Sequence, residues 1–312
     1  MHLQAPNAEL NDQFAIPFKL RFKAQGELII ADITNAHASA SICLQGGQVL
    51  SWQPVTTAEP VIWMSQDAQF VTGKSIRGGI PVCWPWFGAH AAEASFPAHG
   101  FARTQAWQVK STRSLDDGSN ELSLSLSIND TAQAMCPPQA KQVQLELLVN
   151  VGTSLKIALV TRNMGEHDFK MTEALHTYFA VSDVTNVQVE GLESVHFHDK
   201  AAGWVEGDQV GSIAFAGEVD RVYVNSPQRC SMVDAGFKRR INIAKIGSQS
   251  TIVWNPAAAR AEQMGDLADN KGREGWKRFV CVESGNALEN RVTVPAGKSH
   301  TLAVEYRVEE IE

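Results

Sequence analysis

Two titratable side chains sit in this sequence where strands usually carry apolar ones. Glu283 ends the run Phe279-Val280-Cys281-Val282-Glu283, and His176 interrupts Glu173-Ala174-Leu175-His176-Thr177-Tyr178-Phe179. Alternation along a strand puts Glu283 on the side of Phe279 and Cys281, and His176 on the side of Tyr178. A carboxylate held in a partly apolar cleft has its pKa raised by desolvation toward that of a useful base. A histidine titrates near neutrality and can give or take a proton. The plainer alternatives are a strand end reaching water and a structural histidine. Arg77 and Arg103 lie beside Gly-rich, aromatic-rich loops, where a guanidinium suits bidentate binding of a carboxylate or phosphate. Asp220-Arg221, in VDRVYVN, reads on its own as a charged turn before a strand.

Around Arg77 the sequence is SIRGGIPVCWPWFG, residues 75–88. Gly78-Gly79 allow a tight turn or a close backbone approach, since glycine tolerates positive φ. Pro81 and Pro85 stiffen the path and keep it out of helix. Trp84, Trp86 and Phe87 are expected to form a platform on a pocket wall, with packing alone the plain alternative for two of them.

Other motifs fall short of their chemistry. Gly73-Lys74-Ser75 lacks the upstream glycine of a nucleotide P-loop, since Ala68 stands there, and no helix pattern follows. His196-Phe197-His198-Asp199 puts two imidazoles on one side of an extended segment, but no third metal ligand can be named from sequence. A polar loop between strands is the favoured reading. The serine-hydrolase elbow G-x-S-x-G is absent. Cys281, inside an alternating run, reads as a core thiol.

The elements that must hold these residues are strands. Period-two runs occur at 18–24, 27–33, 48–55, 122–128, 142–151, 155–162, 238–246, 251–255, 278–283 and 300–308. Turn signals such as Gln45-Gly46-Gly47, Asp117-Gly118 and Pro295-Ala296-Gly297 separate them. Asn255-Pro256 before AAARAEQM predicts one short helix. Strand follows strand without amphipathic helices between, so a large antiparallel sandwich is expected, not a parallel βαβ sheet. No linker or shift in composition divides the chain. One domain over 1–312 is expected, with residues 1–24 as a peripheral N-terminal segment. The basic run Lys238-Arg239-Arg240 reads as a strand edge or solvated face.

Composition limits the function. The 312 residues carry a net charge of -7, against general nucleic-acid binding. No run approaches a membrane span, and the N-terminus lacks the pattern of a signal peptide. Five scattered cysteines without a C-x-x-C pair suit reduced thiols in the cytoplasm.

Taken in order, SIRGGIPVCWPWFG, PAHGFAR (97–103), EALHTYF, DRVYVN, VWNP (253–256) and FVCVES resemble the aldose 1-epimerase-like proteins. The resemblance runs from about residue 25 to the C-terminus. It is strongest to the branch of hexose-6-phosphate mutarotases, also called glucose-6-phosphate 1-epimerases. It implies an all-β fold, a galactose-mutarotase-like β-supersandwich. It implies interconversion of the α and β anomers of a hexose 6-phosphate, with no metal and no organic cofactor. Carried over, His176 is the general acid and Glu283 the general base. Arg77 and Arg103 bind the phosphate, Asp220 contacts sugar hydroxyls, and His99 and Trp86 join the substrate site. Some members have Gln where this chain has Ala98. The insert-like NKGREGW (270–276) is expected to shape the pocket rim. The expected ligand is a small sugar phosphate, and the expected state is a monomer with no nucleic-acid or membrane partner. A free-sugar epimerase and a non-catalytic carbohydrate-binding protein are the alternatives. Two arginines in one pocket would argue against the first, and a paired histidine and glutamate against the second.

Overall fold

Alternation along the sequence becomes pairing between strands. The computed structural model describes residues 6–128, 134–136, 140, 142–267 and 274–312. The runs expected at 142–151 and 155–162 form the strands Val143–Val151 and Leu155–Asn163, paired antiparallel. Val143, Leu145, Leu147, Val149 and Val151 all point inward and are buried. Each such side chain contributes roughly 1.5–3 kcal/mol of apolar burial, which is why the alternation decides the face.

These two strands belong to a nine-stranded sheet that also holds Asn120–Leu126, Arg239–Ile246 and Ser299–Glu310. An eight-stranded sheet faces it. An interior strand of it is Phe279–Asn286, flanked by Ser250–Asn255 and by Glu173–Leu175. The sheets touch where Phe179 packs edge-on against Tyr306 and Thr177 Oγ1 meets the Tyr306 hydroxyl at 2.7 Å. A four-stranded sheet from Leu20 to Pro54 completes the β-sandwich. One cluster of buried apolar side chains runs from Leu20 to Tyr306.

The expected helix is present at Ala257–Met264, and Asn255 Oδ1 accepts from the Ala257 N–H at its start. A second helix, Pro6–Phe14, was not expected. Asn11 from that helix bonds both backbone groups of Phe22. Leu20 and Phe22 are buried in the main core, so residues 20–24 of the segment expected to be peripheral are part of a sheet.

Three local expectations change. His196–Asp199 is a strand, not a loop. Its imidazoles meet carboxylates from Glu206, Asp208 and Glu289. Asp220 and Arg221 lie inside the strand Val219–Tyr223, not in a turn before it. Arg239 is not a solvated edge residue, because its strand runs between Cys230–Asp234 and Ser299–Glu310 and its side chain is 2% exposed. It donates to the carbonyls of Glu59, Pro60 and Ala180. Charge patterning missed this because the basic run alternates with the strand. Replacing Arg239 with Met should leave three carbonyls without their donor, that of Ala180 buried, and cost about 2 kcal/mol of stability or more, read from the urea midpoint.

Candidate active site

The register of two strands sets the site. Glu173–Leu175 pairs with Ser284–Asn286, and Tyr178–Ala180 pairs with Phe279–Cys281, in one continuous offset. Between them the ladder breaks. The His176 N–H turns to the Pro81 carbonyl, and the Thr177 N–H closes a tight turn onto Leu175. The offset still places His176 opposite Glu283. His176 Nε2 lies 3.4 Å from Glu283 Oε1, with the two residues 8% and 1% exposed. His176 Nδ1 and Glu283 Oε2 have no protein partner.

The expected alternation holds around the pair. The His176 ring stacks on Tyr178 at 4.9 Å, with Trp254 and His99 against its edges. Cross-strand pairing lines up Tyr178, Cys281, Trp254 and Asp220 in one row beside it. His176, Cys281 and Glu283 offer an imidazole nitrogen, a thiol and a carboxylate oxygen all within 4.8 Å of one another. That spacing could admit a metal ion, although burial pushes the Cys281 thiol far above its ordinary pKa.

Burial governs the charges. Glu283 is pushed well above the usual carboxylate range, first by desolvation, then by Asp220, with Lys200 opposing. His176 is pushed well below its ordinary value by desolvation, then by His99, Arg103 and Arg77. Together these shifts describe a protonated carboxyl group facing a neutral imidazole. His99 is pushed down to about 3, first by burial and then by Arg103, Lys200 and Arg77.

The basic residues are near, and each already has a partner. Arg77 Nε meets Asp266 at 2.9 Å and Nη1 meets the Tyr178 hydroxyl at 3.1 Å. Burial works against the Arg77 charge, but Tyr178 and Asp266 outweigh it and hold its pKa up. Arg103 donates to the Ala98 carbonyl at 2.8 Å. Asp220 pairs with Lys200 at 3.0 Å.

The aromatic segment splits. Trp84 is fully buried between Phe101 and Phe169, with its indole N–H on Met171 sulfur, so it is core and not platform. Trp86 packs with His90, Phe96 and Phe101 and donates to the Pro97 carbonyl, which ties it to the 88–98 loop. Phe87 lies 5.0 Å from the His99 ring. Gly78 and Gly79 have φ of +100° and +70°. A Cβ on them would sit 2.6 Å from the Trp63 carbonyl and 2.5 Å from the Val49 carbonyl. The glycines thus serve a backbone crossing inside the protein. Sequence reading missed Lys200, Trp254, Tyr178 and Asp266. The two aromatic residues stand inside quoted motifs, whereas Lys200 and Asp266 carry no local signal. The 270–276 insert lies mostly outside the described residues.

The sequence matches the aldose 1-epimerase family over residues 30–307. The chain belongs to the aldose 1-epimerase family. A Salmonella typhimurium relative, provisionally named glucose-6-phosphate 1-epimerase, is 38% identical over 260 residues, 83% of this chain and 82% of that one. An Escherichia coli relative with the same provisional name is 37% identical over 284 residues, 90% of each chain. A Salmonella typhimurium crystal structure, provisionally termed a mutarotase, superposes with a TM-score of 0.85 at 33% identity, covering 95% and 96%. A galactose mutarotase-like protein from Clostridium acetobutylicum shares the fold at a TM-score of 0.68 and 13% identity, covering 94% and 98%. This aldose 1-epimerase family member is therefore an isomerase of the mutarotase type, built on the galactose-mutarotase-like fold.

The electrostatics make a direct prediction for the ligand-free protein. In an NMR titration of side-chain imidazoles, His176 and His99 should both stay neutral at pH 6. An inflection of either ring near 6.5 would contradict the burial argument.

Proposed function

We propose that this enzyme interconverts the α and β anomers of hexose 6-phosphates, glucose 6-phosphate foremost. His176 and Glu283 form its acid–base pair. The observation that carries the reading is the buried 3.4 Å contact of these two groups, with Arg77 and Arg103 close enough to act on His176. The names of the Salmonella and Escherichia coli relatives support the phosphorylated substrate.

Mutarotation takes a proton from the C1 hydroxyl and gives one to the ring oxygen. The C1–O5 bond opens to the aldehyde, C1 turns about C1–C2, and the ring closes on its other face. The pair needs one mobile proton for this. Burial favours that proton on Glu283, whereas the working form has Glu283 ionised and His176 protonated. A bound phosphate dianion would neutralise Arg77 and Arg103, and both of them disfavour the imidazolium. Substrate binding would thus remove the arginines' share of the shift, smaller than that of burial, and bias the proton toward His176. Each positioned acid or base supplies roughly 10²–10⁴-fold in rate. Asp220, with Lys200 beside it, faces the sugar hydroxyls, and His99, held neutral, offers them a hydrogen-bond partner. Trp86 supports the wall through the 88–98 loop. The substrate is a small molecule, and the enzyme works as a cytoplasmic monomer folded as one domain. All five cysteines being free fits a reducing compartment. Among the described residues no helix is long and apolar enough to cross a membrane.

One observation favours a second reading. Asp266 already meets the Arg77 charge, which suits a pocket for an uncharged sugar. The discriminating measurement is anomer exchange by NMR for glucose and glucose 6-phosphate. Arg103→Ala and Arg77→Ala should each lower kcat/KM for the phosphate at least about 10-fold and leave glucose nearly unchanged. Equal losses on both sugars would remove the phosphate role. Glu283→Gln and His176→Asn should each lose about 10²-fold or more in kcat while still binding glucose 6-phosphate. Near-wild-type exchange in both would sink the acid–base assignment. Loss of one shared proton stops the reaction on the alkaline side, and protonation of both groups stops it on the acid side. The pH profile of kcat/KM should therefore be bell-shaped.

A further inference from the structure

Glu173 is fully buried, and proton transfer has no use for it. Its side chain leaves the strand on the face opposite to Ala174 and His176. Oε1 accepts from His300 Nε2 at 2.8 Å and from Asn286 Nδ2 at 3.0 Å, while Oε2 has no partner. Asn286 Nδ2 donates as well to the Gly247 carbonyl at 2.8 Å, and Asn286 Oδ1 accepts from the Gln249 N–H at 2.9 Å. Three segments therefore meet at one carboxylate, the two strands of the site and the start of Ser299–Glu310, and Asn286 ties the 247–249 turn to them. Burial opposes the His300 charge, but Glu173 outweighs it and holds its pKa up.

The location gives the network its meaning. Glu173 faces Asn286 in the backbone pairing. The same offset continues through Ala174 and Gly285 to Leu175 and Ser284, and so sets His176 against Glu283. The ladder bonds end just there, because the His176 N–H is given to Pro81. A slip of one residue turns every side chain to the other face. Apolar burial already resists such a slip along the whole strand, and a carboxylate matched to two named donors adds a directional restraint next to the break in the ladder. Buried polar groups are costly, and fixing register is their best-attested use.

We propose that Glu173 is a positioning residue for the reaction. Clamped by Asn286 and His300, its carboxylate holds the register that sets His176 opposite Glu283. The inference rests on these two being the acid–base pair.

Three variants test it with glucose 6-phosphate as substrate. His300 stands at a partly exposed strand start, and its variants are compared per folded enzyme. His300→Leu removes a donor to Glu173 and should lower kcat roughly 10- to 100-fold, as small misplacements of reacting groups do, with KM nearly unchanged. His300→Gln restores an N–H donor and should recover most of the rate. Glu173→Gln should behave like His300→Leu where circular dichroism shows it folded. In both slow variants the imidazole nitrogen shifts of His176 should move. A merely structural role would lower the unfolding temperature and leave kcat per folded enzyme and the His176 signals as in wild type. That result, or equal kcat in the Leu and Gln variants at position 300, overturns the proposal. Should His176→Asn and Glu283→Gln keep full exchange, the acid–base reading fails and this inference with it. Should those two lose exchange while the Glu173 and His300 variants keep it, only the positioning role fails.

Discussion

A carboxyl group that burial keeps from its charge governs this pocket. Glu283 sits on an interior strand of an eight-stranded sheet, 1% exposed, with the carboxylate of Asp220 near it. Lys200 favours the anion there but does not outweigh burial and Asp220. Every neighbour is constrained by that fact. His176 must stand close enough to share a proton, so the strand it follows must keep an exact register. The ladder must also open at His176, so that its ring can face the cleft and its backbone can bond Pro81.

The cations around the pair have two consequences that pull in opposite directions. They favour an anionic ligand, and after burial they also work against an imidazolium at His176. Under the proposed phosphate role, a substrate dianion would ease the part of that shift the arginines cause, burial remaining the larger part. A neutral sugar would leave it in place. Binding energy far from the reacting carbon would thereby favour the right protonation state, which is one physical form of using remote interactions for the transition state.

Much of this was legible in the sequence. Strand alternation in FVCVE and LHTYF placed Glu283 and His176 on faces that do meet, because sheet geometry depends only on the period of two. Asn255-Pro256 marked the helix start correctly. What was not legible depended on distant chain. Trp84 looks like its neighbours in sequence, and only the packing of Phe101 and Phe169 makes it core. Arg239 reads as a surface charge until three carbonyls from two other segments close over it. Asp266 meets Arg77 across 189 positions of chain, and no local pattern announces such a contact.

The Arg77–Asp266 and Lys200–Asp220 pairs also bear on how tightly the pocket grips. A ligand meeting Arg77 would exchange one ion pair for another, whereas at Arg103 it would displace only a neutral carbonyl. At Arg77 the gain would be a difference between two similar energies. Substrate and product differ only in the configuration of one carbon, so whatever grips one grips the other. A loose hold lets either anomer depart quickly, and the site becomes a catalyst of exchange and not a store of sugar.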